Sequence, residues 1–127
     1  MKDILVTLIA LKQYIKQYHW QAKSYQEHIL ADKLEEELED YIDEVAELSV
    51  VAEFTDKQLK AKELLSKASN LLPEEVDLLK IGEVFVKLRD EINVFEQKAE
   101  DLGLKDLCGR LSNDILRKAY LIQVQDK

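Results

Sequence analysis

Apolar residues return along this chain in alternating steps of three and four. Ile4, Leu8, Leu11, Ile15 and Tyr18 form one stripe, and Leu34, Leu38, Tyr41, Val45 and Leu48 a second. Ile81, Phe85, Leu88, Ile92, Phe95, Ala99 and Leu102 form a third, and Leu104, Cys108, Leu111, Ile115, Ala119 and Ile122 a fourth. Such spacing gathers apolar side chains on one side of a helix and leaves a narrow, coiled-coil-like seam. No segment alternates as a half-buried strand would. The pattern predicts an all-α chain with four long helices near residues 3–20, 25–53, 73–102 and 104–124.

Local chemistry marks the ends. Ser24 is followed three residues on by Glu27, a capping box that would start the second helix near Tyr25. Thr55 and Gln58 repeat the device for a short helix of roughly residues 56–69. Pro73, Glu74 and Glu75 read as a first helical turn, with proline preset and acids at the positive end. Gly103 reads as the glycine just past the end of the third long helix. Gly82, inside that helix, costs about 1 kcal/mol against alanine, which close packing at that point would explain. The first-to-second and third-to-fourth connections are short and join antiparallel neighbours. The expected architecture is an antiparallel four-helix bundle with a short extra helix in the connection between helices two and three.

Composition fits that picture and narrows the function. The 127 residues suit one domain, 1–127, and 46% hydrophobic content is enough for a core. A net charge of −8, with no basic tail at either end, disfavours DNA or other nucleic acid as a partner. No apolar run reaches the length of a membrane span, and the start lacks a signal pattern. The single cysteine, Cys108, cannot form an internal disulfide and suits a reducing, cytoplasmic setting, where it reads as a small core residue.

The scarcest residues are crowded together. His19 and His28, the only histidines, and Trp20, the only tryptophan, lie within "YHWQAKSYQEHILAD". From Asp32 to Glu47 there are nine acids and one base, Lys33. Most of these acids read as a solvated helix face. His28 with Asp32, and Asp43 with Glu47, are i,i+4 pairs that lie off the apolar seam. His28 and Asp43 are fifteen residues apart. That is about 22 Å on a continuous helix, too far to share an ion within one chain. Two copies packed antiparallel about a two-fold axis near residues 37–38 would bring His28 and Asp32 of one chain to Asp43 and Glu47 of the other, twice over. His19 could join its own chain's His28 across the short connection. Two imidazoles and three carboxylates suit iron, manganese or zinc better than calcium or magnesium. An intra-bundle di-iron centre is disfavoured, because neither histidine has a glutamate three residues before it.

The segment "YHWQAKSYQEHILADKLEEELEDYIDEVAEL" resembles the first and second helices of Dps-type mini-ferritins, and "EQKAEDLGLKDLCGRLSNDILRKAYLI" resembles their last two helices. The resemblance spans most of the chain and is specific in the first half, generic in the second. It implies a ferritin-like bundle. It also implies a ferroxidase centre between two-fold-related subunits, with His19, His28 and Asp32 from one subunit, Asp43 and Glu47 from its mate, and Trp20 beside the centre. The implied activity is oxidation of Fe(II), with hydrogen peroxide or oxygen, and storage of ferric mineral in a hollow dodecamer that protects against oxidative stress. Zinc or manganese could occupy the same site.

Two features depart from the family. The His19-to-His28 interval of nine residues is shorter than usual and lacks the customary Gly-Pro, which displaces His19 or weakens its part in the site. The basic tails with which some members bind DNA are missing. The shortened form is similar to small Dps-like proteins of some phage genomes. A second functional class stays open: a non-enzymatic helical interaction protein that dimerises through the second helix and has kept the fold without the iron chemistry. The tyrosines Tyr14, Tyr18 and Tyr25 are expected at an oligomer interface in either case.

Overall fold

The computed structural model describes residues 1–53 and 59–125. They form helices α1 (Lys2–Trp20), α2 (Tyr25–Glu35), α3 (Leu38–Glu53), α4 (Ala61–Asn70), α5 (Leu78–Lys98) and α6 (Leu102–Gln125). Counting α2 and α3 as one interrupted rod, these are the four long helices that the apolar spacing predicts, with a short extra helix, α4, in the connection between the second and third. The Thr55–Gln58 capping device and the start expected for the short helix fall outside the described residues. Among the described residues no helix is long and apolar enough to cross a membrane.

Cross-helix pairs fix the helix directions. Lys12 pairs with Glu39, Lys16 with Glu35 at 2.8 Å, and His19 with Asp32 at 3.2 Å, so the numbers rise on α1 as they fall on α2–α3. Thr7 donates to Glu91, and Tyr14 donates to the Glu75 carbonyl at 2.8 Å, which runs α5 antiparallel to α1. Glu44 meets Arg110 at 2.6 Å and Glu36 meets Lys118, which runs α6 antiparallel to α2–α3. The centre of the bundle is α1, which packs against α2, α3, α4 and α5. Its residues Leu8, Leu11, Tyr14 and Ile15 are fully buried, facing Leu34 and Leu38, Val45, Ile81, Phe85 and Leu88 in one core. Cys108 lies in that core as expected, and burial pushes its thiol above the ordinary value.

Several local expectations are corrected. The second helix is not continuous over 25–53. It stops at Glu35, passes through Glu36 (φ −51°, ψ 131°) and Glu37 (φ 65°), and restarts at Leu38. The third long helix starts at Leu78, not Pro73. Asp77 is its N-cap, accepting the Lys80 N–H at 2.8 Å, and the Tyr14 hydroxyl holds the approach by bonding both Glu75 and Asp77. It ends at Lys98, so Gly103 is not its terminator. Asp101 instead accepts the N–H groups of Gly103 (2.7 Å) and Leu104 (3.2 Å) and caps α6. Leu102, counted in the third stripe, is therefore off the core and 82% exposed. A Cβ on Gly82 would meet nothing within 4 Å, so close packing does not explain that glycine. Tyr14 is wholly buried and is no interface residue, whereas Tyr25 is 78% exposed and Tyr18 lies between.

Candidate metal centre

The first half of the predicted site is assembled by a helix end, a tight connection and a helix start. α1 closes at Trp20, with the Gln21 N–H bonded to the Gln17 carbonyl at 3.1 Å, and this leaves His19 in the last turn. Ser24 then caps α2 as the sequence predicts, accepting the Glu27 N–H at 3.1 Å. The Glu27 carboxylate reaches back to the Lys23 N–H at 2.7 Å, one residue earlier than in the simple box. The cap sets the first turn of α2 against the last turn of α1. His28 and Asp32, one turn apart, both face His19.

The resulting distances are short. His19 Nδ1 lies 3.2 Å from one carboxylate oxygen of Asp32, and His28 Nε2 lies 3.9 Å from the other. The two imidazoles meet edge to face, their centroids 4.1 Å apart and their planes at 76°. One donor atom from each of the three residues falls within 4.8 Å of the others. Ligand atoms around one tetrahedral ion with bonds near 2.1 Å sit about 3.4 Å apart. Small rotamer changes would close the set, His28 and Asp32 being exposed and His19 partly so. Two imidazole nitrogens and a carboxylate oxygen are the donors that non-haem iron, manganese and zinc share. One Asp32 oxygen could ligate while the other orients His19, the usual arrangement around a metal-bound histidine.

Asp43 and Glu47, the other two predicted ligands, are not part of this cluster. They lie one turn apart on α3, both exposed, with no hydrogen bond or ion pair among the described residues. Three other acids of α2 and α3 are occupied: Glu35 and Glu39 by lysines of α1, and Glu44 by a two-point contact with Arg110 at 2.6 and 3.1 Å. That contact holds the Glu44 carboxyl below its ordinary value. Trp20, the residue after His19, is 73% exposed, and Tyr25, at the start of α2, is 78% exposed. Burial, and then the charge of Glu27, pushes the Tyr18 hydroxyl upward on the other side of the connection.

One pair near the site escapes a reading of apolar stripes. Lys118, 3% exposed, reaches from α6 to the Glu36 carbonyl and lies 2.7 Å from Asp114. Its sequence signal is its register, three residues after Ile115 and four before Ile122, on the seam itself.

No protein-family model matches the sequence, and no curated protein does. Among solved structures, the chain is similar to Dps from Thermosynechococcus elongatus, with a TM-score of 0.79 over 98% of this chain and 90% of that one. Sequence identity is 19%, so the likeness is one of fold. The chain has a Dps-like, ferritin-type helical bundle.

Proposed function

We propose that this protein is a Dps-like ferroxidase that takes up Fe(II), oxidises it and stores the Fe(III) product inside a hollow oligomer. The observation that carries the reading is the convergence of His19, His28 and Asp32 at an exposed edge of a Dps-like bundle. In this reading the two-fold mate completes each site, with Asp43 and Glu47 of the partner subunit meeting His19, His28 and Asp32. Their exposure, and their lack of ion-pair partners among the described residues, leave them available for that contact. The bare Trp20 and Tyr25 supply apolar area for the same interface.

The chemistry follows from the donors. Iron is the substrate. Carboxylates neutralise its charge and favour Fe(III) over Fe(II), and the imidazoles bind as neutral bases, so affinity falls in acid. Two Fe(II) ions each release one electron. A peroxide molecule accepts the pair, its O–O bond breaks, and two hydroxide ions form and bind the ferric product. The closed form of the assembly is a dodecamer, and its setting is the cytoplasm, which the buried reduced Cys108 suits.

The test is to add Fe(II) anaerobically to metal-free protein, inject peroxide, and follow the near-ultraviolet absorbance of Fe(III). An Asp43→Ala/Glu47→Ala variant is the control. Rapid oxidation that the control loses supports the reading. Traces that match buffer would sink it and leave a helical interaction protein. Tight zinc binding without iron turnover would make the centre structural.

A further inference from the structure

The break in the second helix is unexpected from its own sequence. Leu30 to Tyr41 reads LADKLEEELEDY, without glycine or proline and rich in strong helix formers. Left to local preference it would run on as one helix. Glu37 nevertheless has φ 65°, the one positive-φ residue other than glycine among those described. A residue with a Cβ in that region costs on the order of 1 kcal/mol. Leu34 and Leu38, on either side, are both fully buried, so the break is not a frayed end in solvent. Something in the tertiary structure favours it.

Lys118 supplies that interaction. Ending α2 at Glu35 frees carbonyls that a continuous helix would satisfy, among them that of Glu36. The buried Lys118 ammonium donates to this carbonyl, at the negative end of α2, and Asp114 one turn away balances its charge at 2.7 Å. Neither group is well placed alone, since an unpaired helix-end carbonyl and an unpaired buried ammonium are both costly. In a continuous helix Glu36 would accept the Asp40 N–H, and Lys118 would lose its backbone partner. Instead α3 makes its first helical bond from the Tyr41 N–H to the Glu37 carbonyl, at 3.0 Å. Among the described residues, the amides of Leu38, Glu39 and Asp40 bond no carbonyl four residues back.

We propose that Lys118 is a positioning residue. It holds the second helix in its broken form and thereby sets the direction in which α3 presents Asp43 and Glu47 relative to His28 and Asp32 on α2. The functional half of this proposal rests on the metal-site reading above. The break follows Asp32 by one turn and precedes Asp43 by six residues, counted from Glu37. It therefore coincides with the axis, near residues 37–38, about which two copies would have to pack. A change of angle there acts on both sites of a pair.

Residue-resolved hydrogen–deuterium exchange by mass spectrometry tests the proposal on the full chain in whatever assembly it forms. Lys118→Met removes the ammonium and keeps the stem. With the latch gone the helix should close, and the Leu38, Glu39 and Asp40 amides should exchange about tenfold more slowly than in wild type. A merely structural role gives the opposite sign, because a destabilised protein exchanges faster everywhere. Asp114→Asn, which leaves the Lys118 contact to Glu36 in place, should keep wild-type exchange at these three amides. Unchanged or faster exchange there in Lys118→Met overturns the proposal. Should that variant not fold, Glu37→Gly gives a second reading. It relieves the positive-φ cost without touching α6 and should keep these amides as open to exchange as in wild type, and slower exchange there counts against the latch. Anaerobic Co(II) titration then separates the two readings. If wild type binds Co(II) and Lys118→Met binds it about tenfold more weakly, the latch serves the site. If wild type binds none, the metal reading fails while the exchange data still judge Lys118.

Discussion

Replacing Ser24 by alanine should weaken the proposed metal centre without touching a proposed ligand. α2 has 11 residues, a length at which an isolated helix is marginal in water, so its first turn depends on its cap. Ser24 accepts the Glu27 N–H at 3.1 Å, and the same turn carries His28, whose N–H bonds the Ser24 carbonyl at 3.1 Å. The cap is exposed, which places its loss near the middle of the usual range, about 1 kcal/mol. The Glu27 contact to the Lys23 N–H survives in the variant and keeps the loss from being larger. Binding an ion through His28 and Asp32 requires the turn to be formed. The cost therefore passes into affinity as about a fivefold loss for Co(II), with a similar fall in urea stability. Ser66→Ala is the control, since Ser66 is exposed in the interior of α4, where alanine is the better helix former. Calorimetric titration and urea melts of wild type and both variants make the comparison. If Ser24→Ala binds as tightly as wild type while Ser66→Ala also leaves affinity unchanged, His28 is not held by the cap, and the argument that α2's start organises the site is wrong.

Three further outcomes follow from the packing. Burial raises the Glu91 carboxyl above its ordinary value, outweighing the opposing bond from Thr7 and the nearby Lys87. A raised folded-state value favours the fold below the unfolded value and loses that benefit as pH rises through the folded one. Glu91→Gln should therefore raise Tm at pH 7 and lose its advantage in acid, as thermal melts across pH 3–7 would show. Tyr14→Phe leaves the Glu75 carbonyl without the hydroxyl it meets at 2.8 Å, and should cost about 1–2 kcal/mol in urea unfolding. No loss would mean that the approach to α5 is held by something else. Cys108 should resist iodoacetamide in the native protein and react only on unfolding, because its thiol is buried and its ionisation suppressed, and prompt native labelling would contradict that placement.

Where the sequence was legible, one local rule was decisive. The three-and-four spacing put Leu8, Leu11, Ile15, Leu34, Leu38, Val45, Phe85 and Leu88 in the core because nothing competes with burial at those positions. His28 and Asp32 could be paired from the helical repeat alone, and Ser24 with Glu27 announced the start of α2. The readings that failed are those where a side chain from another helix decides a backbone choice. The Pro73–Glu75 turn had a good helical start, yet the Tyr14 hydroxyl ties Glu75 and Asp77 in the approach and moves the start to Leu78. Gly103 had the chemistry of a terminator, but the Asp101 carboxylate claimed its N–H for the next helix. The break at Glu36–Glu37 is the extreme case. The sequence around it is rich in helix formers, and its cause is a lysine some eighty positions away, one residue before the place that the apolar repeat gave to Ala119. The carboxylates Asp43 and Glu47 belong to a different order of difficulty. Their spacing is legible, their exposure is clear, and their proposed ligand role depends on a second copy of the chain. What decides it is the angle between α2 and α3, so the residue that most shapes that half of the proposed centre is one that would never touch the metal.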